Sequence, residues 1–145
     1  MQQIIEGCFL LFLIVIAVKD IQTRTVSPIA LIFGGMISIT TQLLFKRMDF
    51  WIVFGGAAIG AVCMMISKFT KEGLGYGDSL VILILGTYLG FYDLLLVLST
   101  AVFLLLCVSI PALCIRKMSR KYALPFLPFL TCGYILLLLI GGMDR

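Results

Sequence analysis

The chain contains no histidine. That removes the usual general base, the usual zinc ligand and the usual switch near neutral pH. Charge is scarce as well. Asp, Glu, Lys and Arg make up 12% of residues, where a soluble domain carries roughly 25%. With 62% hydrophobic residues, the chain has too little polar surface to clothe a fold in water, so it belongs in a bilayer. No CxxC pair exists: Cys8, Cys63, Cys107, Cys114 and Cys132 stand singly in apolar runs. They read as small buried hydrophobes rather than as a disulfide framework or a metal site. No metal, cofactor or nucleic-acid partner is expected. Met1 to Glu6 also lacks the positive region of a cleavable signal, and Cys8 lies too near the start for a lipoprotein cleavage site. The first apolar stretch is therefore expected to remain as a span.

What is there is a series of apolar runs broken by short charged patches. They predict an all-α, polytopic membrane protein of about six transmembrane helices, near Gln3–Val18, Val26–Phe45, Phe50–Ser67, Ser79–Phe91, Leu94–Ile115 and Phe126–Gly142. A span needs roughly 20 residues, so the fourth run is short, and partial immersion of Asp78 is one way to reconcile it. The loops after spans one, three and five hold Lys19, Arg24, Lys68, Lys71, Arg116, Lys117, Arg120 and Lys121, which is eight of the eleven basic residues. The positive-inside rule puts them in the cytoplasm and both termini outside. The Arg116–Lys121 cluster is either a contact for anionic lipid headgroups or a plain topology determinant. Gly56 and Gly60 stand four apart, as do Gly86 and Gly90. Each pair makes a small helix face suited to close packing in lipid. The expectation is one domain over 1–145.

The stretch that stands out is Glu72-Gly73-Leu74-Gly75-Tyr76-Gly77-Asp78-Ser79. Gly75 and Gly77 are free to take unusual backbone angles and let another chain approach closely. A carboxylate at the edge of hydrocarbon is costly, and by default it marks function. The plainer alternative is that Asp78 or Ser79 caps the next helix. Asp20 closes the first span, and by charge it falls on the same membrane face as Asp78. Two carboxylates about 3 Å apart cannot both ionise easily and share a proton. One then takes a proton from water while the other polarises a peptide carbonyl. Alternatively, Asp20 simply pairs with Lys19 or Arg24 at the interface.

Gly75-Tyr76-Gly77-Asp78 after a basic loop, with an aspartate ending an earlier span, resembles the type IV prepilin peptidase family of GxGD membrane aspartyl proteases. That resemblance implies Asp20 and Asp78 as the catalytic pair, with Gly75, Tyr76 and Gly77 as motif support. It also implies pilin-like precursors as substrates, cleaved at the cytoplasmic face of a prokaryotic cell membrane. The family's Ile-Pro-Asn-like stretch after the first aspartate corresponds to Val26-Ser27-Pro28, where only the apolar position holds. Leu80 stands where the family often has Lys. Leu124-Pro125-Phe126-Leu127-Pro128-Phe129-Leu130 resembles its Pro-Phe-Gly-Pro-Phe-like stretch, with Leu127 in place of glycine. Those prolines should break or start a helix at the mouth of the last span. Larger members carry an N-terminal CxxC segment and methylate the new N-terminus. Here the expectation is the peptidase core alone.

Two other readings compete. Pro111-Ala112-Leu113 reads as the PAL string of presenilin-type proteases, but it follows the GxGD motif too closely, and no Tyr-Asp pair precedes Gly75. A small transporter or assembly factor would show more polar groups deep in its spans than Ser38, Thr40, Thr41 and Ser99.

Overall fold

In a computed structural model, the chain is described over residues 2–23, 26, 28–45, 49–69, 75–116 and 125–143. Arg24, Ser27, Lys46, Arg47, Lys71, Glu72, Gly73, Leu74, Lys117–Leu124, Asp144 and Arg145 lie outside the described residues, as do the side chains of Cys114 and Arg116. Among the described residues the fold is six helices: α1 Gln2–Thr23, α2 Pro28–Phe45, α3 Phe50–Phe69, α4 Tyr76–Leu89, α5 Phe91–Arg116 and α6 Leu127–Met143. Each of the six expected apolar runs holds a helix. Pro28 opens α2, where its fixed φ and missing N–H are tolerated.

Five helices close a ring. α1 packs on α2 and α6, α2 on α4, α4 on α5, and α5 on α6, while α3 lies outside the ring against α4 and α5. The difference shows in burial. Of α3, Gly56, Gly60 and Ser67 are buried, whereas α4 is buried on nearly every side, from Ser79 to Leu89. That explains how α4 can be short: neighbouring helices, not lipid, surround most of it. The ring is filled by side chains. Phe9 of α1 stacks on Tyr88 of α4 with centroids 4.0 Å apart, and its edge meets Tyr134 of α6 at 5.8 Å. Outward-facing Ile14, Ile32, Phe33, Met36, Phe54, Phe103 and Leu139 are exposed. Such a surface suits hydrocarbon, not water. Phe50–Phe69 and Phe91–Pro111 are long and apolar enough to cross a membrane, and Pro28–Leu44, Tyr76–Leu89 and Leu127–Gly141 are shorter apolar stretches.

Gly56, Gly60 and Gly86 bring α3 and α4 into close contact. A Cβ at Gly56 would run into the carbonyl of Gly86, and one at Gly86 into the carbonyl of Gly56. A Cβ at Gly60 would strike the backbone of Leu83. Gly90 does something else. It alone among the described glycines has a positive φ, 80°, and it lets α5 start directly after α4. Gly75 and Gly77 do not use that freedom.

The cysteines need a correction. Cys8, Cys107 and Cys132 are exposed and Cys63 is half-buried, all as free thiols. A thiol is apolar enough to face lipid, so apolar surroundings in sequence did not mean burial inside the bundle.

Candidate active site

α1 carries one inward stripe of buried residues: Phe9, Phe12, Leu13, Ile16, Ala17 and then Asp20, 7% exposed. The helix does not stop at Asp20, as the sequence reading had it. It runs on to Thr23, whose Oγ1 donates to the Lys19 carbonyl at 2.9 Å. Helical periodicity therefore turns Asp20 inward with the core residues. This argues against a role as a solvated partner for Lys19.

Register brings α4 to meet it. From Phe9 to Asp20, α1 rises about 16 Å, and from Tyr88 back to Asp78, α4 spans about 15 Å. Phe9 and Tyr88 are stacked, so the two antiparallel helices hold their carboxylates at one level. The charge of Asp20 reaches Asp78 directly. Asp78 lies one residue ahead of the apolar run Ser79–Phe91. Burial, and after it the Asp20 charge, raises its carboxyl from 3.8 to about 6. Its place in the first turn of α4 favours the ionised form through the helix dipole, but desolvation prevails.

The capping alternative does not hold. Gly75 is the N-cap, with φ −55° and ψ 129° and no side-chain capping bond. Asp78 instead sits within the helix against Gly75, where a Cβ would lie 3.1 Å from Asp78 Oδ2. Ser79 is fully buried, and its Oγ donates to the carbonyls of Cys63 and Gly75, both at 3.3 Å. It ties the start of α4 to α3. Tyr76 is half exposed.

The other side of the turn is held by Val26. A Cβ on Gly77 would stand 2.5 Å from Val26 Cγ2 and 2.8 Å from its Cβ. The absence of a side chain at 77 is thus a notch that Val26 fills. The sequence marked both residues but gave no sign that they touch. At the last span, the amides of Phe129 and Leu130 donate to the Phe126 carbonyl, both at 3.1 Å, so α6 begins within the Pro125–Phe129 stretch as expected.

A second polar group was missed: Ser38, Gln42 and Thr87, at the far end of α4. Thr87 Oγ1 donates to the Ile84 carbonyl at 2.8 Å. Its proton is used there, so Ser38 is the donor in the 2.7 Å bond between the two hydroxyls. Gln42 Nε2 donates to the carbonyls of Thr87 at 3.0 Å and Tyr88 at 3.4 Å. Those carbonyls are orphans of a helix end, which makes Gln42 a cap supplied by another helix.

The sequence profile of the type IV leader peptidase family matches residues 7–110. The chain belongs to that family. Relatives include the prepilin leader peptidase/N-methyltransferase of Aeromonas hydrophila and that of Aeromonas salmonicida strain A449, each 29% identical over 126 residues. In both cases the match covers 79% of this chain and 41% of the relative, so the chain spans about two fifths of their length. No solved structure matches. Within this leader peptidase family member, Asp20, Val26 and Gly75–Asp78 all fall inside the matched segment, whereas Pro125–Phe129 falls beyond it.

Proposed function

We propose that this chain, as a single domain over 1–145, is a membrane aspartic endopeptidase that removes the short leader of type IV pilin-like precursors. What supports the reading is that Asp20 faces the core of the bundle and that Asp78, in the first turn of α4, feels its charge. A pair of this kind holds one proton between pH values where isolated carboxylates would both be ionised. The ionised member takes a proton from water, whose oxygen attacks the leader's peptide carbonyl. The protonated member donates to that carbonyl oxygen. Collapse breaks the C–N bond, and the leaving amine takes up a proton. Burial and the Asp20 charge both favour the protonated form of Asp78, and the proton belongs to the pair as a unit.

The excess of Lys and Arg in the loops after α1, α3 and α5 supports a cytoplasmic active site in a prokaryotic cell membrane. The names of the relatives support a pilin-like substrate. A transporter reading is weaker, because Ser38, Gln42 and Thr87 are engaged with one another and with a helix end.

The test is co-expression with a pilin-like precursor. Asp20→Asn and Asp78→Asn should each stop leader removal while the protein still inserts. Normal processing by either variant would end the dyad assignment. Independently, a thiol probe on Lys71→Cys should react only from the cytoplasmic side, and labelling from outside would reverse the topology.

A further inference from the structure

The catalytic reading rests on two carboxylates carried by helices that do not pack broadly on each other: α1 meets α2 and α6, and α4 meets α2, α3 and α5. The Phe9–Tyr88 stack sets their level from about 15 Å away, which leaves their separation at the membrane edge to a nearer contact. The described contact is Val26 in the Gly77 notch. Val26 follows Asp20 by six residues, in the connection from α1 to α2, and Gly77 precedes Asp78 by one. Val26 is half-buried and also packs on the core. Its β-branched side chain has little rotamer freedom with which to yield. Ser79 fixes the opposite side of the same turn to α3.

We infer that Val26 is a positioning residue for the proposed reaction: its isopropyl group, seated where Gly77 has no side chain, sets how closely Asp78 stands to Asp20. This rests on the proposed peptidase reading, but the contact makes a graded prediction of its own. A Cβ at position 77 meets Val26 Cγ2 at 2.5 Å, Val26 Cβ at 2.8 Å and the Val26 nitrogen at 3.8 Å. Ala at 26 would remove the first clash, and Gly would remove both.

The experiment compares wild type, Gly77→Ala, Gly77→Ala/Val26→Ala and Gly77→Ala/Val26→Gly, each in membranes with a pilin-like precursor. Gly77→Ala should lower kcat ~100-fold, the scale of a 1 Å misplacement, with KM changed less than about threefold. Activity should return in the order Gly77→Ala, then the Ala double variant, then the Gly double variant. A second readout needs no substrate: the pH at which a hydrophobic carbodiimide stops modifying Asp78. The charged or titratable groups on the elements around Asp78 include Asp20 on α1, Cys63 and Lys68 on α3, and Tyr76 on α4 itself. Burial is the larger cause of the raised Asp78 carboxyl, and of these groups Asp20 is the charge that adds to it. The midpoint should move toward ordinary carboxylates in Gly77→Ala and return in the Gly double variant. A Gly77→Ala protein with wild-type kcat and midpoint overturns the inference, as does a Gly double variant that recovers neither. If wild type cleaves no precursor, the peptidase reading fails, and the carbodiimide midpoint still decides whether Val26 sets the pair.

Discussion

The two ends of α4 make opposite use of polar groups. At the Thr87 end, a hydroxyl and an amide from α2 are matched with a hydroxyl and carbonyls of α4. At the Asp78 end, the helix has no side-chain cap and a half-buried carboxylate stands beside another acid. The first arrangement lowers the free energy of the fold. The second raises it, since desolvation and like charge both oppose ionisation. A bundle retains an electrostatic cost of that kind where chemistry uses it. One end of the helix therefore reads as structure and the other as reactivity.

The largest expected effect separates the ends outright. Gln42→Leu should leave leader cleavage within about twofold of wild type, whereas Asp78→Asn should lower it at least ~10³-fold, within the span of general acid–base contributions. Equal losses of cleavage, measured on matched amounts of inserted protein, would collapse the distinction between the ends. Next in size is the packing that holds both ends in place. Gly86→Leu would drive a side chain into the Gly56 backbone, and overpacking of this kind costs about 1–3 kcal/mol. It should lower the melting temperature in detergent and reduce cleavage and inserted yield together.

A smaller effect tests whether the Thr87 end is a matched polar pair. Thr87→Val would strand Ser38, which is fully buried, at a cost of about 1 kcal/mol in a membrane setting. Ser38→Ala/Thr87→Val removes both partners and should recover most of that loss. A double variant as unstable as the sum of the singles would show that the hydroxyls do not depend on each other.

These contrasts explain what could be read from sequence. Helix number and rough position were legible because hydrocarbon demands long apolar runs, and charged patches such as Lys68 to Glu72 interrupt them, but α1, α4 and α5 begin or end several residues from the apolar limits. The Gly56/Gly60 face was legible because small residues four apart share a helix side, whereas Gly90 proved to be the break after α4 and not part of a face with Gly86. Both carboxylates could be named from their positions. Their meeting could not, since it depends on the Phe9–Tyr88 register between helices far apart in the chain. Gln42 was missed because its partners are backbone carbonyls, which no residue type advertises. The free cysteines were misplaced because lipid and protein core look alike to an apolar run.

The last contrast is the smallest and concerns sign. The folded carboxyl of Asp78 is raised from 3.8 to about 6, so between those values the folded state binds more protons than the unfolded state. The contribution of Asp78 to stability should therefore be greatest below about pH 4, fall as pH rises toward 6, and level off above it. The slope is shallow, because Asp78 is only partly buried and solvent screens part of the penalty. Asp78→Asn has no proton to lose, so it should flatten that window and melt higher than wild type at pH 7. Gln42→Leu changes the uncharged end and should keep the slope while lowering the whole curve. Melting temperatures of the three proteins from pH 4 to 7 in one detergent check this. A wild-type curve that rises through the window would mean that Asp78 is stabilised in its charged form, and the two ends of α4 would then be alike.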